Sequence, residues 1–234
     1  MSGRLIALVP AMLFVLLTRI SSAVDFSEQQ RCFEAEVNRS LECLVQVCQA
    51  AWPYDNLRPA VFRAKWTQAT LFNPAEPVIH LSVGSPRYRE IVGQMAYWDT
   101  RCCLGRKCLF DASHLSVKDE VKSEILSLGG ALVEASANYR KACAWAWPYV
   151  NLRPFVKQPG VEPATILNPL LPVATAQLSP LGPDYKEIRM QLNYWEAEVC
   201  RCEKNLKDCF EKNNIPLPKA GGQKPAAPKP APGG

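Results

Sequence analysis

The chain has little histidine: His80 and His114 are the only two among its 234 residues. It also lacks the HExxH, GxSxG and glycine-rich phosphate-binding motifs that mark common hydrolases and nucleotide-binding enzymes. General acid–base catalysis mostly uses histidine or carboxylates placed in a cleft, and no motif here marks such a group. The sequence therefore favours a non-catalytic protein without cofactor or metal. A secreted enzyme of unrecognised type is the third hypothesis for its function.

Long apolar runs are scarce too. The longest, residues 5–17, follows Arg4 and precedes three small residues at 21–23. This pattern is typical of a secretory signal peptide, and we assign residues 1–23 to one. No later segment approaches the ~20 apolar residues that a transmembrane helix needs. The sequence predicts a secreted, extracellular protein with no transmembrane span; an uncleaved anchor and a mitochondrial presequence are the alternatives.

The part of the chain expected to fold has no excess of either charge. Of the 27 basic residues, two lie in the signal peptide and three in the C-terminal tail, which leaves 22 basic and 22 acidic residues between positions 24 and 214. A nucleic-acid interface needs a concentrated basic surface. The composition therefore predicts no nucleic-acid partner.

The chain is rich in internal repetition. CQAAWPYDNLRP at 48–59 matches CAWAWPYVNLRP at 143–154, an offset of 95 residues. PRYREIVGQMAYW at 86–98 matches PDYKEIRMQLNYW at 183–195, an offset of 97 residues. Such self-similarity indicates two copies of one structural unit. The predicted parts are a signal peptide (1–23), a first repeat (24–112), a second repeat (113–214) and a disordered tail rich in Pro, Ala and Lys (215–234).

Each copy opens and closes with a segment in which apolar residues recur at steps of three and four, which predicts an amphipathic helix. Gly129 and Gly130 lie within the third such segment. We expect them to weaken or break it, because each glycine costs about 1 kcal/mol relative to alanine in a helix interior. Between the two helices of each copy lie about 35 residues dense in proline, which excludes a long helix or a central strand. Each copy should be a helical hairpin with a long proline-rich connector.

Ten cysteines in a chain addressed to an oxidising compartment predict five disulfides. Cys48 aligns with Cys143, and Cys103 aligns with Cys200. The simplest shared bridges are therefore Cys48–Cys103 in the first copy and Cys143–Cys200 in the second. We expect a mostly α, disulfide-rich fold in which two tandem hairpins pack as a pseudo-symmetric four-helix assembly.

A third bridge follows from what the second copy lacks. Cys43 and Cys108 are both replaced by asparagine there, and in an antiparallel helix pair they keep the register of the first bridge. Cys43–Cys108 is therefore predicted as well. The four remaining cysteines are predicted to link the two copies, in an order that the sequence leaves open: Cys32, Cys102, Cys202 and Cys209.

The twice-written WPYxNLRP motif is the best candidate for a binding site. Its aromatic faces, phenol and guanidinium could hold an anionic or sugar ligand by stacking and forked hydrogen bonds. The stronger interpretation is structural, with the tryptophan covering a helix end and the arginine fixing a loop. The candidate residues are Trp52, Tyr54, Arg58, Trp147, Tyr149 and Arg153.

Asn38-Arg39-Ser40 is a glycosylation sequon, so Asn38 is a candidate glycan acceptor within the first helix. Together the patterns favour a secreted structural or binding protein of an extracellular surface, matrix or assembly, with a protein or glycan partner. The alternative is a carrier of a small apolar ligand between the two hairpins, since helical bundles often bind ligands in their cores. The sequence fixes no oligomeric state.

Overall fold

The computed structural model of the chain describes residues 25–63, 79–156 and 176–216. The predicted signal peptide, the C-terminal tail and most of each proline-rich connector lie outside the described residues. The described part is mostly helical, as predicted, and contains no strand. Its helices are α1 (Phe26–Ala51), α2 (Arg58–Arg63), α3 (Pro86–Ser113), α4 (Asp119–Ala146) and α5 (Pro183–Lys212), with a 3-10 turn at Arg153–Phe155.

The helices that close the two repeats begin alike. Pro86 and Pro183 occupy the first turns of α3 and α5, where a missing N–H costs nothing. Ser85 caps α3, and its side chain accepts a hydrogen bond from the Tyr88 N–H at 3.2 Å. These signals place the start of each closing helix at an equivalent point of its repeat.

Helix α4 continues without a break through Gly129 and Gly130, so the prediction of a weakened or broken helix is wrong. A Cβ on Gly129 would collide with the Cys108 sulfur of α3, and one on Gly130 would lie 3.1 Å from the Phe33 ring of α1. The two glycines thus let two different helices approach α4 closely. The packing gained on both sides outweighs their low helix propensity.

The four long helices form a row. Helix α3 packs against α1 in the first repeat, and α5 packs against α4 in the second. The two repeats meet mainly where α3 packs against α4, with a smaller contact between α1 and α4. No comparable contact joins α1 to α5 within the described ranges. The inner helices α3 and α4 therefore connect the hairpins.

The core is shared between the repeats. The larger group of buried side chains includes Leu44, Tyr88 and Met95 of the first repeat and Tyr139 and Ile188 of the second. A smaller group at the other end joins side chains from all four long helices. Within the three described ranges, no helix is long and apolar enough to span a membrane.

The disulfide-rich character expected from the sequence is not supported. All ten cysteines are thiols in the structure, so neither the three specific bridges nor the links between the repeats are formed. Cys48 and Cys143 are buried, whereas their expected partners Cys103 and Cys200 are exposed. The unformed bridges are Cys48–Cys103, Cys143–Cys200, Cys43–Cys108 and those among Cys32, Cys102, Cys202 and Cys209.

The register of α1 on α3 explains why the two bridges expected between these helices, Cys48–Cys103 and Cys43–Cys108, do not form. A Cβ on Gly105 would lie 2.8 Å from Cγ2 of Val37, so these two positions face each other. A Cys48–Cys103 bridge would instead place Val37 opposite His114, nine positions further along the chain. At a rise of 1.5 Å per residue, that error is about 13 Å.

Candidate functional site

Each WPYxNLRP motif forms a corner directly after the first long helix of its repeat. Beyond the corner, Tyr54 pairs with Ile79 in an isolated parallel bridge, and Tyr149 pairs with Ala176 in the same way. Ile79 and Ala176 differ by 97 positions, which is the offset of the closing helices. The two corners are therefore equivalent structures, each joined to the segment that leads into the next long helix.

An asparagine amide holds each corner to that segment. Asn56 donates a hydrogen bond to the Leu81 carbonyl at 2.8 Å and accepts one from the Leu81 N–H at 3.3 Å. Asn151 makes the same two bonds to Leu178, at 2.8 and 3.3 Å. These asparagines are not among the predicted site residues, although their presence in both copies of the motif is a visible signal.

The motif arginines turn back onto their own corners. Arg58 donates through Nε to the Trp52 carbonyl at 2.6 Å, and its guanidinium lies 4.5 Å from the centre of the Trp52 ring. Arg153 donates to the Trp147 carbonyl at 2.7 Å and lies 5.6 Å from that ring. Each pair combines a hydrogen bond with a cation–π contact, which fixes the end of the preceding helix.

Of the six residues predicted as a ligand site, the three in each copy are thus brought together, but mainly to contact one another and the core. Trp52 is 8% exposed and Tyr149 is 5% exposed. These internal contacts favour the structural interpretation of the motif. Ligand binding by these residues stays a prediction: Trp52, Tyr54, Arg58, Trp147, Tyr149 and Arg153.

A cleft of the described structure, with a volume of about 660 Å³, lies between α1, α3 and α4. It sits where the two hairpins meet. Its lining combines apolar side chains with a group of charged and polar ones. The apolar side chains are Phe33, Val37, Leu126 and Val133, and the polar ones include Gln29, Glu36, Arg101 and Glu134.

The charged group in this cleft fastens α3 to α4. Arg101 lies 3.0 Å from Glu134 and 3.1 Å from the Tyr97 hydroxyl, which itself donates to Glu134 at 2.8 Å. Burial, with the Glu134 carboxylate adding to it, raises the pKa of Tyr97, so the phenol stays a neutral donor. Asn138 also donates to Glu134, at 2.8 Å. The sequence pattern does not reveal this cluster, because its members come together only in the register of α3 on α4.

A second cleft, of about 300 Å³, lies between α3, α4 and α5. Apolar side chains form most of it, and four charged side chains lie around them. The apolar group includes Leu104, Ile125, Leu132, Leu206 and Phe210, and the charged group is Lys107, Asp111, Glu203 and Lys207. Such a lining suits a small apolar molecule or the apolar side chain of a partner.

Helix α5 carries exposed apolar side chains on its outward face. Met190 is 60% exposed and Tyr194 is 55% exposed, and both lie one helical turn apart. Leu181, just before α5, is 82% exposed. We call Met190, Tyr194 and Glu198 the α5 outer face, since these residues follow one another at steps of four.

Buried thiols and an exposed asparagine complete the candidate residues. Burial raises the pKa of Cys48, Cys102 and Cys143 to about 12, so these thiols are protonated and unreactive at neutral pH. Asn38 is exposed on α1. Ser40 of the same sequon is 2% exposed and donates to the Glu36 carbonyl at 2.8 Å. Glycan addition at Asn38 would therefore have to precede folding.

Within the described ranges, no three His, Cys, Asp or Glu side chains are grouped so that they could hold a metal ion. Comparison of the chain with protein-family models, curated proteins and solved structures found no match. The geometry is that of a tandem helical-repeat protein with clefts between its helices. The clefts and the α5 outer face are its candidate binding surfaces.

Proposed function

We propose that this chain is a secreted, non-catalytic binding protein of an extracellular surface, matrix or assembly, and that it binds its partner through the α5 outer face. The observation that carries the proposal is the exposure of Met190 and Tyr194. The repeat counterpart of this face on α3 is an interface, because it packs against α4. A large exposed aromatic beside a methionine is typical of protein interaction surfaces.

Secretion is tested separately from binding. The full chain, expressed in a eukaryotic secretory host, should leave the cell with an N-terminus near Val24. N-terminal sequencing of protein from the medium measures this directly. Retention in the cytosol with Met1 intact would contradict the proposed extracellular location.

Binding is tested with a photocrosslinking amino acid at position 194, and at position 211 as the control. Glu211 is exposed on α5 but belongs neither to the outer face nor to the lining of either cleft. We expect crosslinked products at 194 well above those at 211, when the protein is irradiated in the secretory host that expresses it. Equal yields at the two positions would contradict binding through this face.

A second candidate function is supported by the cleft between the hairpins. Sites for small ligands have volumes of roughly 300–1,000 Å³ and combine apolar walls with a few polar groups, and the cleft of about 660 Å³ has both features. Native mass spectrometry of the secreted protein, after removal of glycan, tests this function. Extra mass that is lost on denaturation would support a carrier, and a bare mass would favour the binding protein.

A further inference from the structure

The contact between α3 and α4 indicates what kind of surface could bind the α5 outer face, because α3 and α5 are counterparts in the two repeats. Helices α1 and α4 are counterparts at an offset of 95, and α3 and α5 are counterparts at an offset of 97. In the described structure α3 packs on α4, the helix that follows it. Within the described ranges α5 is the last long helix, and no helix there follows it to pack on the equivalent face. In repeat proteins each unit contacts its neighbours through the same faces.

Three residues of α3 make close contacts with α4. A Cβ on Gly93 would collide with the Trp145 ring, Tyr97 donates to Glu134, and Arg101 pairs with Glu134 at 3.0 Å. Gly93, Tyr97 and Arg101 thus form a line along α3 that faces α4. Their counterparts on α5, at the offset of 97, are the three residues of the outer face: Met190, Tyr194 and Glu198.

The charges at the counterpart positions are reversed on both sides. Arg101 of α3 pairs with Glu134 of α4. The counterpart of Arg101 is Glu198 on α5, and the counterpart of Glu134 is Arg39 on α1. Arg39 is exposed, and about a quarter (25%) of the Glu198 side chain is exposed. Glu198 and Arg39 are therefore one complementary pair, in the opposite sense to the internal pair, and Glu198 also pairs with Arg201 of its own helix.

We propose that the partner of the α5 outer face is α1 of a second copy of this chain, packed as α4 packs on α3, with Glu198 facing Arg39 of the second copy. The proposal rests on the proposed function, for which it names the partner. Because the two surfaces differ, the contact is head-to-tail, and repetition would give a ring or a filament. The tyrosine of the internal interface is retained as Tyr194.

Glycan at Asn38 bears on this association. Its counterpart on α4 is Val133, which is 7% exposed, beside the α3 contact. A glycan at Asn38 would occupy the space that the neighbouring copy needs. We therefore expect deglycosylated protein to associate more strongly than glycosylated protein.

The test is sedimentation velocity of the full chain, deglycosylated and purified from medium or cells, over a wide range of concentrations at low salt. We expect concentration-dependent association that weakens as salt is added. Glu198→Arg and Arg39→Glu should each weaken association by about tenfold, because each places like charges opposite one another. The double variant Glu198→Arg/Arg39→Glu should restore it.

Glu211→Arg is the matched control. Glu211 also lies on α5 and pairs with a basic residue of the same helix, as Glu198 does. Its counterpart, His114, lies beyond the end of α3. This variant should associate like the original chain, and circular dichroism should show all variants equally folded.

A chain that stays monomeric at every concentration would overturn the inference, as would a double variant no stronger than the single ones. Those results leave the proposed function standing if position 194 still crosslinks to a different protein. A monomeric protein that also fails to crosslink at position 194 would contradict both the association of copies and the proposed binding through the α5 outer face.

Discussion

At the scale of single residues, the duplication supplies each motif with a second example of its own contacts. Asn56 and Asn151 make the same two hydrogen bonds to leucine backbones 25 and 27 positions away, respectively. The amide of each asparagine presents a donor and an acceptor together, as a backbone peptide would. This is why asparagine, and no apolar residue, occupies the position in both copies.

We expect Asn151→Ala to lower the free energy of unfolding by about 2 kcal/mol, because it leaves the N–H and carbonyl of Leu178 without these partners. Asn56→Ala should have a similar effect. Urea denaturation measures both. Asn193→Ala, on the exposed surface of α5, is the control and should change stability by less than about 0.5 kcal/mol. Equal losses of stability for Asn151→Ala and Asn193→Ala would contradict a stabilising role for the hydrogen bonds between Asn151 and Leu178.

Buried thiols should make the protein unstable in alkali. Folding raises the pKa of Cys48, Cys102 and Cys143 from 9.0 to about 12. The unfolded state therefore loses these protons first, so the stability is complete below pH 9 and is lost as pH rises towards 12. Each thiol lowers the free energy of unfolding by about 1.4 kcal/mol per pH unit in that window. Burial also raises the pKa of Tyr88 to about 12, which adds to the loss above pH 10.

Urea denaturation at a series of pH values, with and without reductant, measures this effect. Stability that falls between pH 9 and 10 in both buffers confirms free buried thiols. A flat profile without reductant that becomes steep after reduction would mean that these cysteines are bonded in the purified protein.

The sequence repeat identified the WPYxNLRP motif as important, but it did not show which contacts each of its residues makes. Tryptophan, tyrosine and arginine drew attention because they suit ligands, whereas the asparagine looked ordinary. What decides their roles is the position of Leu81 and Leu178, which lie beyond long connectors. A short sequence motif does not predict where a backbone segment 25 or 27 residues away will lie.

At the scale of elements, helical periodicity predicted all four long helices, because each buries a regular apolar stripe. The prediction of a weak point at Gly129 and Gly130 was wrong, because it weighed glycine propensity alone. The predicted register of α1 on α3 was wrong because it was inferred from cysteine alignment. Register depends on which side chains interlock, and Val37 packing into the space at Gly105 is invisible in either helix alone.

We expect Gly129→Ala to destabilise the protein, although alanine favours a helix by about 1 kcal/mol. Its methyl group would collide with the sulfur of Cys108. The double variant Gly129→Ala/Cys108→Ala removes that sulfur and should recover most of the loss. Thermal melting of the three proteins measures the coupling.

Gly130→Ala is the matched comparison for that experiment. Its methyl group would lie 3.1 Å from the Phe33 ring, which borders a cleft and has room to shift. We expect a smaller loss than at Gly129. A gain in stability for Gly129→Ala would contradict the close approach of α3 to α4.

At the scale of the whole molecule, the cysteines divide into exposed and buried thiols. Three cysteines are exposed and should react with iodoacetamide in the native protein: Cys32, Cys103 and Cys200. Five are buried and should react only after urea unfolds the chain: Cys48, Cys102, Cys143, Cys202 and Cys209. Mass spectrometry of the labelled peptides measures this pattern. Failure to label in urea, unless reductant is added, would show that the cysteines are bonded.

The hydrogen bonds from Asn56 to Leu81 and from Asn151 to Leu178 also have a consequence for the kinetics of folding. Each closes a stretch of 25 or 27 residues, so the two closures have nearly the same entropic cost. Either repeat should therefore form its own corner at a similar rate, without waiting for the other. Each repeat buries much of its apolar surface only when α3 packs on α4, because the core is shared between the repeats. We therefore expect the two repeats to gain their stability together, as two copies of one chain do when they form a dimer.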